Sequence, residues 1–350
     1  MYGQLKHIAL LVLLFALAAS AQGISGSPPT TDIPTQHLSR SIAVQAIQGT
    51  PSGPDIGVST IEIDLVHQGA VIKTIIAQLD EYGIAVIENL PVEVQIQPIV
   101  RLAYAGATYE QPGELIGPVR PHQTITLTYF ESTTELPDWT IPMRQIMLSY
   151  APEGIKITEI LVVMNPEKRT WLGLLNSSNS PTSIAVSLPE RAKHVILQSG
   201  FTDWTTTSFN DGILRNHLPL KPHITELSFS YIVPFGEDTY NLELVAPAPN
   251  AHMIVMLPDD ISIASVSGML LGGTRQIADT TVRYYTASDL SSGNLVQLSL
   301  SGLHERPSQS ASKSRPTAQT NFPILPITIG VFVLAGGALL FNLRARPGGA

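Results

Sequence analysis

Apolar and polar residues alternate with period two along most of this chain. In "VSTIEIDLVHQ", Val58, Thr60, Glu62, Asp64 and Val66 fall on one face and Ile61, Ile63 and Leu65 on the other, the pattern of a half-buried strand. Gln68-Gly69 then turns the chain into "AVIKTIIAQL", which predicts a hairpin. A polar turn carrying Asp80, Glu81 and Gly83 opens the next strand, "GIAVIENL", and Pro91 ends it. Gly permits the turn and Pro cannot donate to a ladder. "VEVQIQPIVRLAYAGATYE" and "TITLTYFEST" add more strands, with Pro98 expected at an edge or a break. About six or seven strands in roughly 90 residues is the density of a β-sandwich.

A Pro-punctuated joint, Glu135–Pro142, separates this half from a second series: "RQIMLSYA", "IKITEILVVMN", "TSIAVSLP", "ITELSFSYIVP", "TYNLELVA", "HMIVMLP" and "NLVQLSLSGL". Residues 141–303 form one large sandwich or two smaller ones meeting near Ala246-Pro247-Ala248-Pro249. A single body is favoured, because the residues left after Pro249 make a marginal separate core. Gly272-Gly273 in "LLGGT" reads as a turn.

Both ends break the alternation. Residues 1–21 carry Lys6, an apolar run from Ile8 to Leu17 and the small-residue site Ala19-Ser20-Ala21, the layout of a signal peptide cleaved after Ala21. Phe322 to Leu343 holds no charge; at about 1.5 Å rise per residue it reaches roughly 33 Å, enough for one membrane span. Arg344 and Arg346 follow it and mark the cytoplasmic side. The expected order is therefore a signal peptide (1–21), an exposed leader (22–40), a first sandwich (41–134), a second (141–303), a flexible stalk (304–321), the transmembrane helix (322–343) and a cytoplasmic stub (344–350).

Composition agrees with an exported β-protein. Of 350 residues 44% are hydrophobic and only 14% charged, with 26 Gly, 27 Pro and no Cys. The missing cysteine excludes disulfides, thiolate nucleophiles and thiolate zinc sites. All 28 acidic residues lie in the outer segment, whereas Lys6, Arg344 and Arg346 do not. No Lys/Arg cluster tracks a phosphate backbone, so nucleic acid is not an expected partner.

The stretch Val58–Tyr109 resembles the carboxypeptidase regulatory-like (transthyretin-like) β-sandwich of exported bacterial proteins. Asp80, Gly83, Ile84, Val86, Ile87, Leu90 and Pro91, followed by Tyr104, Gly106 and Tyr109, carry the resemblance. "ITEILVVMNPEKRTWLG", "GILRNHLPLKPH" and "LSFSYIVP" are similar to the sandwich that often follows it in membrane-anchored bacterial proteins. Every matching residue is a turn or core residue, so the resemblance implies a fold and transfers no catalytic residue. The expected fold class is all-β: tandem immunoglobulin-like/transthyretin-like β-sandwiches between an N-terminal signal peptide and one C-terminal transmembrane helix.

Candidate chemistry is sparse. The chain holds no G-x-S-x-G elbow, H-E-x-x-H or EF-hand pattern, and no Gly-rich phosphate loop. Neither a catalytic residue, a metal site nor a cofactor is expected. His217 and His223 flank "LPLKP" and converge only if the prolines bend the chain tightly; His194 and His252 stand alone. Asp259-Asp260 reads as a solvated turn, with a weak calcium site as its alternative. Trp139, Trp171 and Trp204 are candidate stacking platforms for a sugar or peptide, against partly buried packing. Asn176-Ser177-Ser178 fits a glycosylation site only in a eukaryotic secretory route. The expected function is a non-enzymatic binding or scaffolding protein with a protein partner. A carbohydrate- or cell-wall-binding module and a hydrolase with its site near residues 194–223 are the alternatives.

Overall fold

The computed structural model describes residues 39–303, apart from 92, 176–179, 235, 237–238, 278–279 and 302. The expected signal peptide, stalk, membrane helix and stub, nearly all of the leader, and the Asn176 sequon lie outside the described residues. Among the described residues every regular element is a strand, and no helix is long and apolar enough to cross a membrane.

Seven strands build the first body: β1 (Ser41–Gln48), β2 (Ser59–His67), β3 (Ala70–Leu79), β4 (Ile84–Ile87), β5 (Gln97–Tyr104), β6 (Ala107–Pro112) and β7 (His122–Tyr129). They form two sheets, ordered β4-β1-β7 and β3-β2-β5-β6. Ile42, Val44 and Leu127 from one sheet and Ile61, Ile63, Leu65 and Leu102 from the other share one core. The period-two pattern sets this arrangement, because each strand buries only one face.

Local turn chemistry follows the sequence closely. Gln68 and Gly69 both adopt positive φ (50° and 82°), the two left-handed residues of a tight β2–β3 hairpin. In the Asp80–Gly83 turn, Asp80 Oδ1 accepts from the N–H groups of Tyr82 and Ile84, at 2.9 and 2.8 Å. Gly83 supplies the positive φ of 72° that the turn needs. On the polar face of β2, Asp64 is buried because Arg101 and Thr74 cover it. Its carboxyl is held below the usual range by the Thr74 hydroxyl and then by the Arg101 guanidinium.

Pro98 departs from expectation. It sits in an interior strand, β5, which pairs with both β2 and β6. The strand tolerates it because Pro98 is only its second residue and its carbonyl still accepts from Gly113 N at 2.8 Å.

A short strand, β8 (Ser132–Thr133), leads into the second body. There follow β9 (Thr140–Ala151), β10 (Gly154–Asn165), β11 (Thr170–Trp171), β12 (Leu174–Leu175), β13 (Pro181–Thr182), β14 (Ile184–Ser187), β15 (Lys193–Leu197) and β16 (Thr207–Asn210). The series continues with β17 (Ile213–Asn216), β18 (His223–Pro234), β19 (Thr239–Val245) and β20 (Asn250–Pro258). It ends with β21 (Ser262–Ser267), β22 (Leu270–Ile277), β23 (Thr280–Leu290) and β24 (Leu295–Ser301).

One seven-stranded sheet, β15-β18-β10-β9-β20-β23-β22, shares a core with two three-stranded sheets, β14-β17-β16 and β19-β24-β21. In the Ala-Pro segment Ala246 and Ala248 are buried, Pro247 is half-buried and Pro249 exposed, and Pro249 O accepts from Ile141 N at 2.8 Å. At the centre, Arg144 donates through Nε and Nη2 to Glu159 Oε2 (2.9 and 2.8 Å) and through Nη1 to Val245 O (2.8 Å). Tyr231 donates to the other carboxylate oxygen at 2.8 Å. The pair has no solvent exposure, and the bond to Val245 ties the large sheet to β19 across the interior.

Gly272-Gly273 is not a turn. The pair lies inside β22 at a bulge, with Gly273 at φ 128° and the Tyr284 ring of the neighbouring strand lying against Gly272. A side chain at 272 would displace that ring, so the glycine serves close packing on an edge strand.

Candidate functional site

Where the two bodies meet, the chain forms a joint. β8 pairs in parallel with β11, and Trp171 of β11 bridges to Leu220. The Tyr109 hydroxyl donates to Phe130 O at 2.8 Å and lies 2.7 Å from Thr170 Oγ1. Each hydroxyl carries one hydrogen, so Thr170 is the donor in the second contact. Thr50 Oγ1 donates to Lys168 O at 2.6 Å and accepts from Glu131 N at 2.9 Å. Glu131 also accepts from Tyr104 (2.5 Å) and Gln48 (3.0 Å). The hydrogen bond to Glu131, and then burial, push the Tyr104 hydroxyl up to about 12.

Beside this joint lies a cleft of about 860 Å³, within the usual size range of ligand sites. Arg101, Gly106, Thr108 and Glu110 of the first body form one wall; residues between Ser183 and Thr225 form the other. Its apolar lining comes from Ile184, Phe201, Leu218, Pro219 and Leu220. Thr108, Thr202, Thr206 and Asn216 are polar residues of the lining.

Two cations reach this space, and they differ in state. Arg101 is spent on carboxylates, pairing with Glu110 at 2.8 Å, Asp64 at 2.5 Å and Glu62 at 3.5 Å. Among the described residues Lys221 has no ion-pair or hydrogen-bond partner; its Nζ lies over the Tyr109 ring, 5.6 Å from the centroid. Burial pulls its ammonium below the ordinary lysine value, against the attraction of Glu110. A half-buried, unpaired ammonium facing a lined cleft is a place for an anion.

The cleft was hidden from sequence reasoning because its walls come from segments some 80 to 120 positions apart. Lys221 lies inside the "LPLKP" stretch singled out for its histidines, but those histidines go elsewhere. His217 Nδ1 lies 2.6 Å from Pro181 O and its Nε2 lies 3.0 Å from Ser208 Oγ. His223 sits against Lys168 Nζ (3.4 Å) and the Phe130 ring. The two share no partner, and among the described residues no group of three His, Asp or Glu is placed to hold a metal. His194 lies near Glu153, His252 near Ser288, and Asp259 pairs with Arg283 at 3.1 Å.

The tryptophans are likewise apart. Trp171 is core, 2% exposed, Trp139 packs against the same core, and Trp204 is 50% exposed on a loop. They form no common platform.

No known protein family matches this chain, and no curated protein does. Among solved structures it is similar to the major pilin SpaA of Corynebacterium diphtheriae, at 15% identity and a TM-score of 0.20, over 58% of this chain and 61% of that one. It is also similar to the full-length major pilin SpaD of the same organism, at 11% identity and a TM-score of 0.22, over 76% of this chain and 83% of that one.

Proposed function

We propose that this protein is a non-enzymatic, extracytoplasmic binding or scaffolding protein. It is anchored by the apolar segment 322–343 and displays a transthyretin-like sandwich joined to a larger immunoglobulin-like one for contact with a protein partner. The supporting observation is the joint. The buried Tyr109–Thr170 bond, the Thr170 N–H bond to Glu131 O and an exposed bond from Thr50 to Lys168 O fix one body against the other, where a flexible linker would cost less order. Fixed bodies with a lined cleft between them suit presentation of a surface. Affinity capture of the full chain from mild detergent, with reciprocal capture, tests the reading. A specific partner is expected; a solitary protein across several salt and detergent conditions contradicts it. Extraction at alkaline pH should leave the chain with the membrane fraction.

A second reading has one observation in its favour. Ser208, His217 and the Pro181 carbonyl stand in the order nucleophile, base and orienting acceptor. Ser208 and His217 lie outside the lining of the cleft, Ser208 on β16 and His217 directly after β17, rather than on a strand-to-helix elbow. Labelling of the full chain by a fluorophosphonate separates the readings. Ser208 should stay unlabelled; labelling that disappears in His217→Ala would establish a hydrolase.

A further inference from the structure

The cleft wall contributed by the first body includes a sheet edge, beside Arg101 of β5 and Gly106 of the β5–β6 turn. Among the described residues β6 is the last strand of its sheet and pairs only with β5. The bond from Gly113 N to Pro98 O fixes the alternation along that pair. Ala107, Tyr109 and Gln111 exchange hydrogen bonds with β5, while the N–H and C=O groups of Thr108 and Glu110 point away from it. Thr108 and Glu110 are the two β6 residues that line the cleft. Backbone donors and acceptors in strand spacing thus face a space with a partly apolar opposite wall.

Two further features point to an occupant. Lys221 is an unpaired cation beside this edge. Asn216, 5% exposed, accepts Leu218 N at its Oδ1 (3.1 Å), and its Nδ2 has no partner among the described residues where the residue lines the cleft. A second recess, of about 310 Å³, lies at the C-terminal end of the same strand, between Gln111–Glu114 and Gln123–Thr126. A ligand that runs along β6 therefore has room beyond Glu110.

We propose that the cleft receives an extended peptide segment of a partner protein, added as a strand to the free edge of β6, with an acidic side chain placed against Lys221. Main-chain bonds to Thr108 and Glu110 supply the pairing, Asn216 supplies a side-chain donor, and Lys221 selects for the carboxylate. The assignment rests on the scaffolding reading and specifies the chemistry of its partner.

The test uses the full chain and a synthetic nine-residue peptide of alternating Thr and Val with a central Asp, beside the same peptide carrying Asn. The Asp peptide should bind, protect the 107–112 amides from hydrogen exchange, and exceed the Asn peptide in affinity by about tenfold. Lys221→Met should erase that preference. Thr108→Pro removes the outward N–H on an exposed edge and should abolish binding of both peptides; a wild-type near-UV spectrum verifies its fold. Equal binding of both peptides, binding without protection of 107–112, or no binding overturns the proposal. So does a dimer lost on Thr108→Pro, which would assign the edge to a second copy. A partner captured equally by wild type, Thr108→Pro and Lys221→Met overturns the cleft assignment and leaves the scaffolding reading standing.

Discussion

Tyr109, on the edge strand of the first body, and Thr170, on the short strand that opens the joint in the second, hold their hydroxyl oxygens 2.7 Å apart in a buried contact. The same Tyr109 hydroxyl is committed to Phe130 O, and its ring lies under Lys221. One side chain therefore touches both the contact that fixes the two bodies and the lysine that lines the cleft.

Tyr109→Phe keeps the ring and removes both bonds. It leaves a buried carbonyl and the Thr170 hydroxyl short of partners, at a cost of about 1–3 kcal/mol. Chemical denaturation checks this. Thr170→Val combined with Tyr109→Phe should cost less than the sum of the single changes, because the two share one contact.

The buried Arg144–Glu159–Tyr231 set predicts a sharper contrast. Arg144→Ala strands a carboxylate in the core and should destabilise by about 3–5 kcal/mol. The joint replacement Arg144→Met, Glu159→Leu and Tyr231→Phe removes every charge and should recover most of that loss. Equal losses in the single and triple variants would contradict this account of the network.

Lys221 should reduce stability. Its folded-state value is depressed by burial, so the penalty is fully present at neutral pH and fades as pH rises toward the unfolded lysine value of about 10.4. Lys221→Met should gain about 0.5–1 kcal/mol at pH 7, discounted for the part of the side chain that still meets solvent. The gain should shrink in alkali. A variant less stable than wild type at pH 7 would contradict a cation held for binding.

The tyrosines give the opposite dependence. Tyr104 is pushed up to about 12, and Tyr231 lies well above the ordinary value, through burial and then the Glu159 carboxylate. Groups raised in the folded state stabilise fully below the unfolded value, near 10 for tyrosine, and lose that contribution as pH climbs beyond it. The denaturation midpoint should fall above pH 10, in step with the appearance of phenolate absorbance from these rings.

What the sequence made legible was local. Gln68-Gly69 and Asp80–Gly83 declare their turns because two left-handed residues, or one glycine with an aspartate acceptor, suffice to build them. Asp211-Gly212, with φ of 54° and 71°, carries the same signal for the β16–β17 hairpin. Gly272-Gly273 misled because a glycine pair suits a bulge under a tyrosine ring as well as a turn. Strand partners far apart left no local trace: β1 pairs in parallel with β7, Ser41 opposite His122. Trp171 was a candidate platform by residue type, but its neighbours from β8 and Leu220 bury it. The cleft, built from four separate stretches of chain, had no signature at all.

Gly83→Ala tests the turn reading. Its φ of 72° is costly for any side chain, and a Cβ there would stand 2.9 Å from Ala46 O. A loss of about 1–2 kcal/mol is expected from the left-handed conformation alone. Asp80→Ala, which removes the acceptor for Tyr82 and Ile84, should cost somewhat less.

A fixed relation between the two bodies is the property on which the rest depends, and the chain contains no cysteine to interfere with site-directed labels. Spin labels on cysteines introduced at Val71 and Ile196, both exposed and on opposite bodies, report the distance distribution by pulsed electron resonance. A single narrow distribution that broadens in Tyr109→Phe is the predicted result. A broad or two-peaked distribution in the otherwise unaltered chain would show a hinge where the account requires a joint.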